Sequence, residues 1–344
     1  MSLSQRITAA AYACGFDLAG IATLGPADTI EAFDRWLARG FAGTMQYMER
    51  GADKRRDSRR VVDGAHSAIV VALQYGGREP SGSVARYARG DDYHDLMLAR
   101  LNDLLTRIRA LSAVPVTGKA YVDTGPLLER DLARRAGLGW FGKNTNLIHP
   151  DLGSFFFLGA LLVDLALEPD APFESDRCGS CTRCLDACPT DALVEPRVLD
   201  ATRCISYLTI ELRTDIPLEL RAPMGDLVYG CDICQDVCPW NVRFSRALEE
   251  PAFAPREALG GKDARTLARE VLAMDDAAFR TAFADSPVKR TKLRGLKRNA
   301  AVVLGNIGST DDVPVLLAAL EDPEPLVREH AAWALGEIGR RKHE

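Results

Sequence analysis

Eight of the nine cysteines fall within 61 residues, in two runs that each end in Cys-Pro. The first run is Cys178-x2-Cys181-x2-Cys184-x3-Cys188-Pro189, and the second is Cys231-x2-Cys234-x3-Cys238-Pro239. The first run has the spacing that holds a [4Fe–4S] cubane, with its fourth cysteine reaching a second cluster when two are present. The second run matches the last three cysteines of that pattern. Cys204, 27 residues before Cys231, supplies the one it lacks. Eight thiolates are what two cubanes need, and the chemistry they imply is single-electron transfer.

Chain reach explains the spacing. Two intervening residues let a tight loop present successive sulfurs to neighbouring irons, and the three-residue gap before Cys-Pro turns the last sulfur toward the other cluster. This logic assigns Cys178, Cys181, Cys184 and Cys238 to one cluster. Cys188, Cys204, Cys231 and Cys234 form the other. A disulfide framework suits small secreted chains rather than one of 344 residues. Structural zinc uses Cys-x2-Cys pairs and fits the run of four poorly. Cys14, in the first apolar helix, reads as an inert buried thiol.

A second candidate is Asp123, at the end of a strand before Thr-Gly-Pro. It either caps the next helix or donates a proton, which requires desolvation to lift its pKa above about 3.9. Downstream, Gly137-x4-Gly142-Lys143 mimics a phosphate-binding loop, but Asn144 stands where Ser or Thr would meet magnesium. A helix precedes these glycines and none follows, so nucleotide hydrolysis is excluded. Gly137, Gly139 and Gly142 instead suit backbone packed against a flat ligand.

The elements that must position these residues follow from apolar patterning. Segments 8–14 and 30–39 read as helices, and 67–75 is an apolar run of strand length. Leu101, Leu104, Leu105, Ile108 and Leu111 give a helix over 92–111 one buried stripe. Residues 119–122 and 154–163 read as strands, with a helix beginning at Pro126. Near the C-terminus, residues 300–308 align with 331–339 at an offset of 31. With the turn at 321–325 this is similar to HEAT repeats, the alternative being a plain helical cap. The expected organisation is a multidomain α/β plus α chain, with an α/β catalytic domain over 1–170, a two-cluster module over 171–245 and a helical domain over 246–344.

Composition sets further bounds. Apolar residues make up 47% and charged residues 26%, as in ordinary globular proteins. No apolar run reaches the length that crosses a membrane, and no export signal opens the chain, so a cytoplasmic location is expected. The net charge of −5 conceals two basic runs, over 50–60 and 289–298. Each reads alone as a solvated helix face; together they point to a polyanionic partner.

Five segments, ARYARGDDYH (85–94), VDTGPLLERDLARRAGLGWFGKN (122–144), GSFFFLGALLVD (153–164), RCISYLTIELR (203–213) and YGCDICQDVCPWN (229–241), closely resemble the epoxyqueuosine reductases. The resemblance implies a cobalamin- and iron–sulfur-dependent enzyme, related to reductive dehalogenases, that removes the epoxide oxygen of epoxyqueuosine at the tRNA wobble position. It implies a nitroreductase-like α/β domain that binds cobalamin, a ferredoxin-like dicluster module and Asp123 as proton donor. By motif position, the cobalamin contacts would be Arg56, Arg86, Asp123, Leu147, Leu158, Ser206, Asp232 and Ile233. Contacts to tRNA would come from Arg213, Lys289, Arg290 and Arg294. Whether cobalt bonds to carbon or the oxygen is reduced directly stays open. Asp92-Tyr93-His94 begins the Asp-x-His-x-x-Gly pattern of corrinoid proteins, but Met97 replaces its glycine. Cobalamin without a protein axial ligand is therefore expected. A reduced ferredoxin or flavodoxin would be the electron donor, and the protein a monomer. A dehalogenase acting on a small organohalide, or a dicluster electron-transfer protein without catalysis, are the rival readings.

Overall fold

The computed structural model describes residues 1–342. Its strands are β1 (Leu18–Thr23), β2 (Ser67–Gln74), β3 (Gly118–Tyr121), β4 (Trp140–Phe141), β5 (Leu147–Ile148), β6 (Phe156–Val163), β7 (Leu193–Glu195) and β8 (Val198–Leu199). Four of them form an antiparallel sheet in the order β1-β2-β6-β3. Every residue of β2 is buried, because helices cover both faces of the sheet. Ile69, Val71 and Leu73 pack with Ile7, Leu101 and Leu104 from the helices Leu3–Ala13 and Tyr93–Leu111. The alternate residues Ala68, Val70 and Ala72 meet Leu132 and Ala133 of the helix Glu129–Arg135. This period of two is what a doubly covered strand requires. Among the described residues, no helix is long and apolar enough to cross a membrane.

Three readings of the central loop are corrected. The helix after β3 begins at Glu129, not Pro126, because Asp123 adopts a left-handed φ of 54° and carries the chain through an extended bend first. Nor does Asp123 cap that helix: its N-cap position is Leu128, without a side-chain bond. The glycine loop is also occupied from within. A Cβ on Gly139 would lie 2.2 Å from the Ile148 carbonyl oxygen, so that glycine serves the close β4–β5 hairpin rather than a ligand.

The C-terminal helices Ala264–Ala273, Lys292–Ile307, Val313–Ala319 and Pro325–Arg341 pack around a shared core containing Val271, Ala300, Leu304, Leu316 and Ala331. Of the repeated glycines, Gly305 admits the ring of Trp333, which would lie 2.3 Å from a Cβ there. The core runs across segments: Val84, Val228 and Tyr229 join it, while Phe253 stacks edge-on to Phe157 of β6 at 5.1 Å.

The second basic run is therefore not one solvated face. Arg298 is fully buried and donates to the carbonyls of Leu208, Leu212 and Thr214, clamping the segment that follows Cys204. Burial lowers its pKa to about 9, which leaves it charged at neutral pH. Lys297 pairs with Asp322 at 2.8 Å. Replacing Arg298 by Ala would strand these carbonyls at about 1–3 kcal/mol each. Arg298→Ala should therefore lose about 3 kcal/mol or more, read as a lower thermal unfolding midpoint. Arg298→Lys should recover little of it, lacking the guanidinium fork.

Candidate active site and cluster module

The eight clustered cysteines are free thiols in loops and one-turn helices. Those that act on one another electrostatically form two groups. Cys238 faces Cys178 and Cys181, and Cys184 faces Cys238 and Cys178. Cys231 faces Cys204 and Cys188, and Cys234 faces Cys231 and Cys204; the groups adjoin where Cys234 nears Cys184. Among the described residues, no three thiols lie within 4.8 Å of one another. Four sulfurs around one zinc, at about 2.3 Å each, would stand roughly 3.8 Å apart. No such tetrahedral set of thiols stands among the described residues. Burial raises the thiols of Cys184, Cys204, Cys234 and Cys238, and pushes Cys231 up to about 12. Cys14 is a different case: it is part-exposed at the C-terminal cap of the helix Leu3–Ala13 rather than buried within it, and desolvation and Asp103 push it up to about 11, which makes it inert.

The β4–β5 hairpin joins this module to the sheet domain. The Lys143 ammonium donates to the Gly179 carbonyl at 2.7 Å, and the Asn144 amide to the Cys234 carbonyl at 3.2 Å. Trp140 Nε1 points at Cys178 Sγ, 3.5 Å away. A second tie runs from Ser154, whose hydroxyl donates to Gln235 at 2.9 Å. The polar residues after the glycines thus hold the cluster loops.

On the other side of this hairpin lies a cleft of about 180 Å³, lined by Tyr93, Asp123, Glu129, Arg130, Asn146, Leu147, Ser154, Phe156, Phe157 and Leu158. Leu147, Phe156 and Leu158 are apolar residues of β5 and β6. Tyr93 stacks on Phe157 at 4.0 Å and donates its hydroxyl to Asp123 at 3.1 Å. His94 is fixed by a 2.6 Å contact from Nδ1 to Asp92, with Nε2 3.7 Å from Asp123, an ion-pair separation rather than a hydrogen bond. The Asp123 side chain is 64% exposed, yet what it is exposed to is the recess.

The charges in the recess are unequal. Burial pushes the Asp123 carboxyl up, but His94, Tyr93 and Arg290 outweigh it and hold the group below its ordinary value. The desolvation that a proton-donor role for Asp123 would require is thus outweighed by its neighbours. Burial lowers His94, and its two carboxylate neighbours more than restore it, to about 9. Glu129 is raised to about 8, chiefly by burial and then by the charge of Asp123. Its Oε1 is buried without a partner, as is His94 Nε2. At neutral pH the protons of this site rest on His94 and Glu129.

The expected cobalamin contacts distribute unevenly. Asp123, Leu147 and Leu158 share the cleft. Ser206, Asp232 and Ile233 lie beside the cysteines of the second group. Asp232 is taken by Arg86, through its backbone N–H at 2.8 Å and its guanidinium at 3.1 Å, so both are buried structural charges. Arg56 pairs with Asp34 and Asp53 and does not line the cleft; its buried neighbour Arg55 donates to the Tyr47 carbonyl. Lys289, Arg290 and Arg294 are part-exposed and face Asp285, Glu211 and Glu324. Arg290 also lies 5.8 Å over the Tyr47 ring, and Arg213 keeps a buried Nη1 without a partner. Sequence reasoning did not single out Tyr47, Arg55, Glu129 or Arg130. Glu129 and Arg130 look in sequence like the ordinary first turn of a helix.

Fold and site define a redox protein in which a dicluster module abuts an α/β domain with an acid-bearing cleft. Residues 177–241 match the 4Fe-4S double cluster binding domain, residues 55–124 the family described as epoxyqueuosine reductase QueG, DUF1730, and residues 293–343 HEAT repeats. The chain is 42% identical over 351 residues to an epoxyqueuosine reductase of Xanthomonas campestris pv. campestris, covering 98% of this chain and 96% of that one. It superimposes on an epoxyqueuosine reductase solved with an epoxyqueuosine-modified tRNA-Tyr stem loop at a TM-score of 0.87 and 33% identity, covering 98% of this chain and 90% of that one. The Bacillus subtilis epoxyqueuosine reductase, solved with its aspartate catalytic loop swung out of the active site, matches at a TM-score of 0.87 and 32% identity over the same shares. The chain belongs to the epoxyqueuosine reductase family. If Cys204 completes the second cluster, Cys204→Ala should hold about four irons per chain after anaerobic reconstitution where the parent holds about eight.

Proposed function

We propose that this protein reduces epoxyqueuosine to queuosine at the wobble position of tRNA in the cytoplasm. Electrons pass through two [4Fe–4S] clusters, one on Cys178, Cys181, Cys184 and Cys238, the other on Cys188, Cys204, Cys231 and Cys234. The observation that carries the reading is that the second cysteine group and the Asp123 cleft share one hairpin, through Asn144 and Leu147, in a chain of this family. The reaction consumes two electrons and two protons and releases the epoxide oxygen as water.

Cobalamin is the cofactor the family implies; a cleft of about 180 Å³ would receive only part of it, and the lining residues suit that part. Leu147, Phe156 and Leu158 offer an apolar wall, and the orphaned oxygen of Glu129 awaits a polar partner. Bound there, it supplies low-valent cobalt for reductive cleavage of the epoxide C–O bond. The rest falls to the chain. Asp123 and His94 share one proton as a coupled pair, and Asp123, the more exposed of the two, delivers it to the leaving oxygen. Filling the recess removes water, which strengthens the burial contribution and moves the shared proton toward the Asp123 carboxyl. Lys289, Arg290, Arg294 and Arg213 bind phosphates of the anticodon arm, while the modified base leaves its stack to enter the cleft.

Asp123→Asn should lower turnover of an epoxyqueuosine stem loop about 100-fold or more while leaving its affinity within a few-fold. With the pair protonated below about 9, turnover should fall as pH rises through that value. His94→Asn should lose this alkaline limb; a profile unchanged from the parent contradicts the shared proton.

A further inference from the structure

The two cysteine groups differ in their surroundings. Cys204, Cys231 and Cys234, themselves part-exposed, are flanked by the buried residues Ile205, Gly230, Asp232 and Gln235, against the hairpin that reaches the cleft. Cys178, Cys181 and Cys184 alternate with exposed residues, among them Arg177, Gly179, Ser180, Thr182 and Arg183. The helix Pro239–Phe244, which starts at Cys238, extends this face with Arg243 and Val242, the latter 72% exposed, and exposed Arg246 follows.

Arg177, Arg183, Arg243 and Arg246 make no ion pair among the described residues, unlike Arg197 and Arg256 nearby. Two of them are nevertheless held in place. The Arg177 guanidinium lies 5.3 Å over Phe173 and that of Arg243 5.0 Å over Phe244, whose ring stacks on Trp240 at 5.4 Å. These contacts fix the cations without neutralising them. Carboxylates border the rim. Asp176 is paired with Arg197 and Asp186 accepts the Thr182 hydroxyl, while Asp151 lies with Arg177 and Arg246 around His149 and Glu249 lies on the Arg246 side; Arg183 and Arg243 make no ion pair. In a chain of net charge −5, this rim is a local basic departure. Arginine and aromatic residues around an exposed apolar side chain are also what protein interfaces favour.

We propose that this rim docks an acidic one-electron carrier protein, and that the group of Cys178, Cys181, Cys184 and Cys238 is where electrons enter. The inference rests on the reading that both cysteine groups hold clusters, and it adds the face and the charge of the donor. Brief redox encounters need only a small interface. Their rate is set by electrostatic steering, which falls with ionic strength.

The test uses the reconstituted dicluster protein and its triple variant Arg177→Glu/Arg183→Glu/Arg243→Glu, with cluster bleaching followed by stopped flow. Reduction by an acidic reduced flavodoxin should slow about 10-fold or more at low salt, and the difference should vanish at high salt. The corresponding Gln variant should fall between. Reduction by methyl viologen, a small cation, should not slow, and viologen-driven turnover of the epoxyqueuosine stem loop should persist. A flavodoxin rate within two-fold of the parent at low salt overturns the proposal. So does a loss of stem-loop affinity in the variant, which would make the rim an RNA-binding face. Failure of the functional reading is distinct: neither reductant would then support turnover in the parent.

Discussion

Eight thiols crowded into one part-buried volume are the constraint on which this structure depends. Burial raises the thiols of Cys184, Cys204, Cys231, Cys234 and Cys238, so without iron they stay protonated. Metal ligation must deprotonate them, and so couples iron binding to proton release and to folding. The cluster loops have little apolar core of their own. Around Cys238 it amounts to Trp140 and Ile148, lent by the β4–β5 hairpin, with Phe173, Cys178 and Trp240 packed against it. The module is therefore held from both sides, by the sheet domain through Lys143, Asn144 and Ser154, and by the helical domain through Arg298.

The same hairpin gives the arrangement its direction. Trp140 and Asn144 touch the cluster loops, and Leu147 faces the cleft. In the cleft, electrostatics rather than burial decides the state of Asp123. A positive His94 and Arg290 outweigh desolvation, while at Glu129 burial and the Asp123 charge outweigh Arg130 and Arg55, so it keeps its proton to about pH 8. Two carboxyls in one recess are thus held in opposite states by their neighbours, a division of labour that suits acid chemistry.

What the sequence revealed tracks how local each signal is. The cysteine spacing suggested two groups because ligand order is a property of loops. The apolar runs located β2 and β6 within two residues, since their periodicity is a local property. Asp123, Leu147 and Leu158, named through motif likeness, all line the cleft. The rest needed tertiary contacts. Pro126 suggested a helix start that the turn at Asp123 delays. Arg298 stood in a basic run yet serves as a buried clamp, and Arg86 proved to be the partner of Asp232, 146 residues away. Glu129 and His94 gave no sign of their protonation, because their pKa values arise from residues distant in sequence.

Whether the dicluster module and the cleft act as one cobalamin-dependent reductase is decided by anaerobic turnover of an epoxyqueuosine-modified anticodon stem loop by the reconstituted protein, with tRNA nucleosides read by mass spectrometry. Epoxyqueuosine should lose one oxygen, and only when cobalamin is added. Conversion undiminished without cobalamin, or none with it, would overturn that linkage.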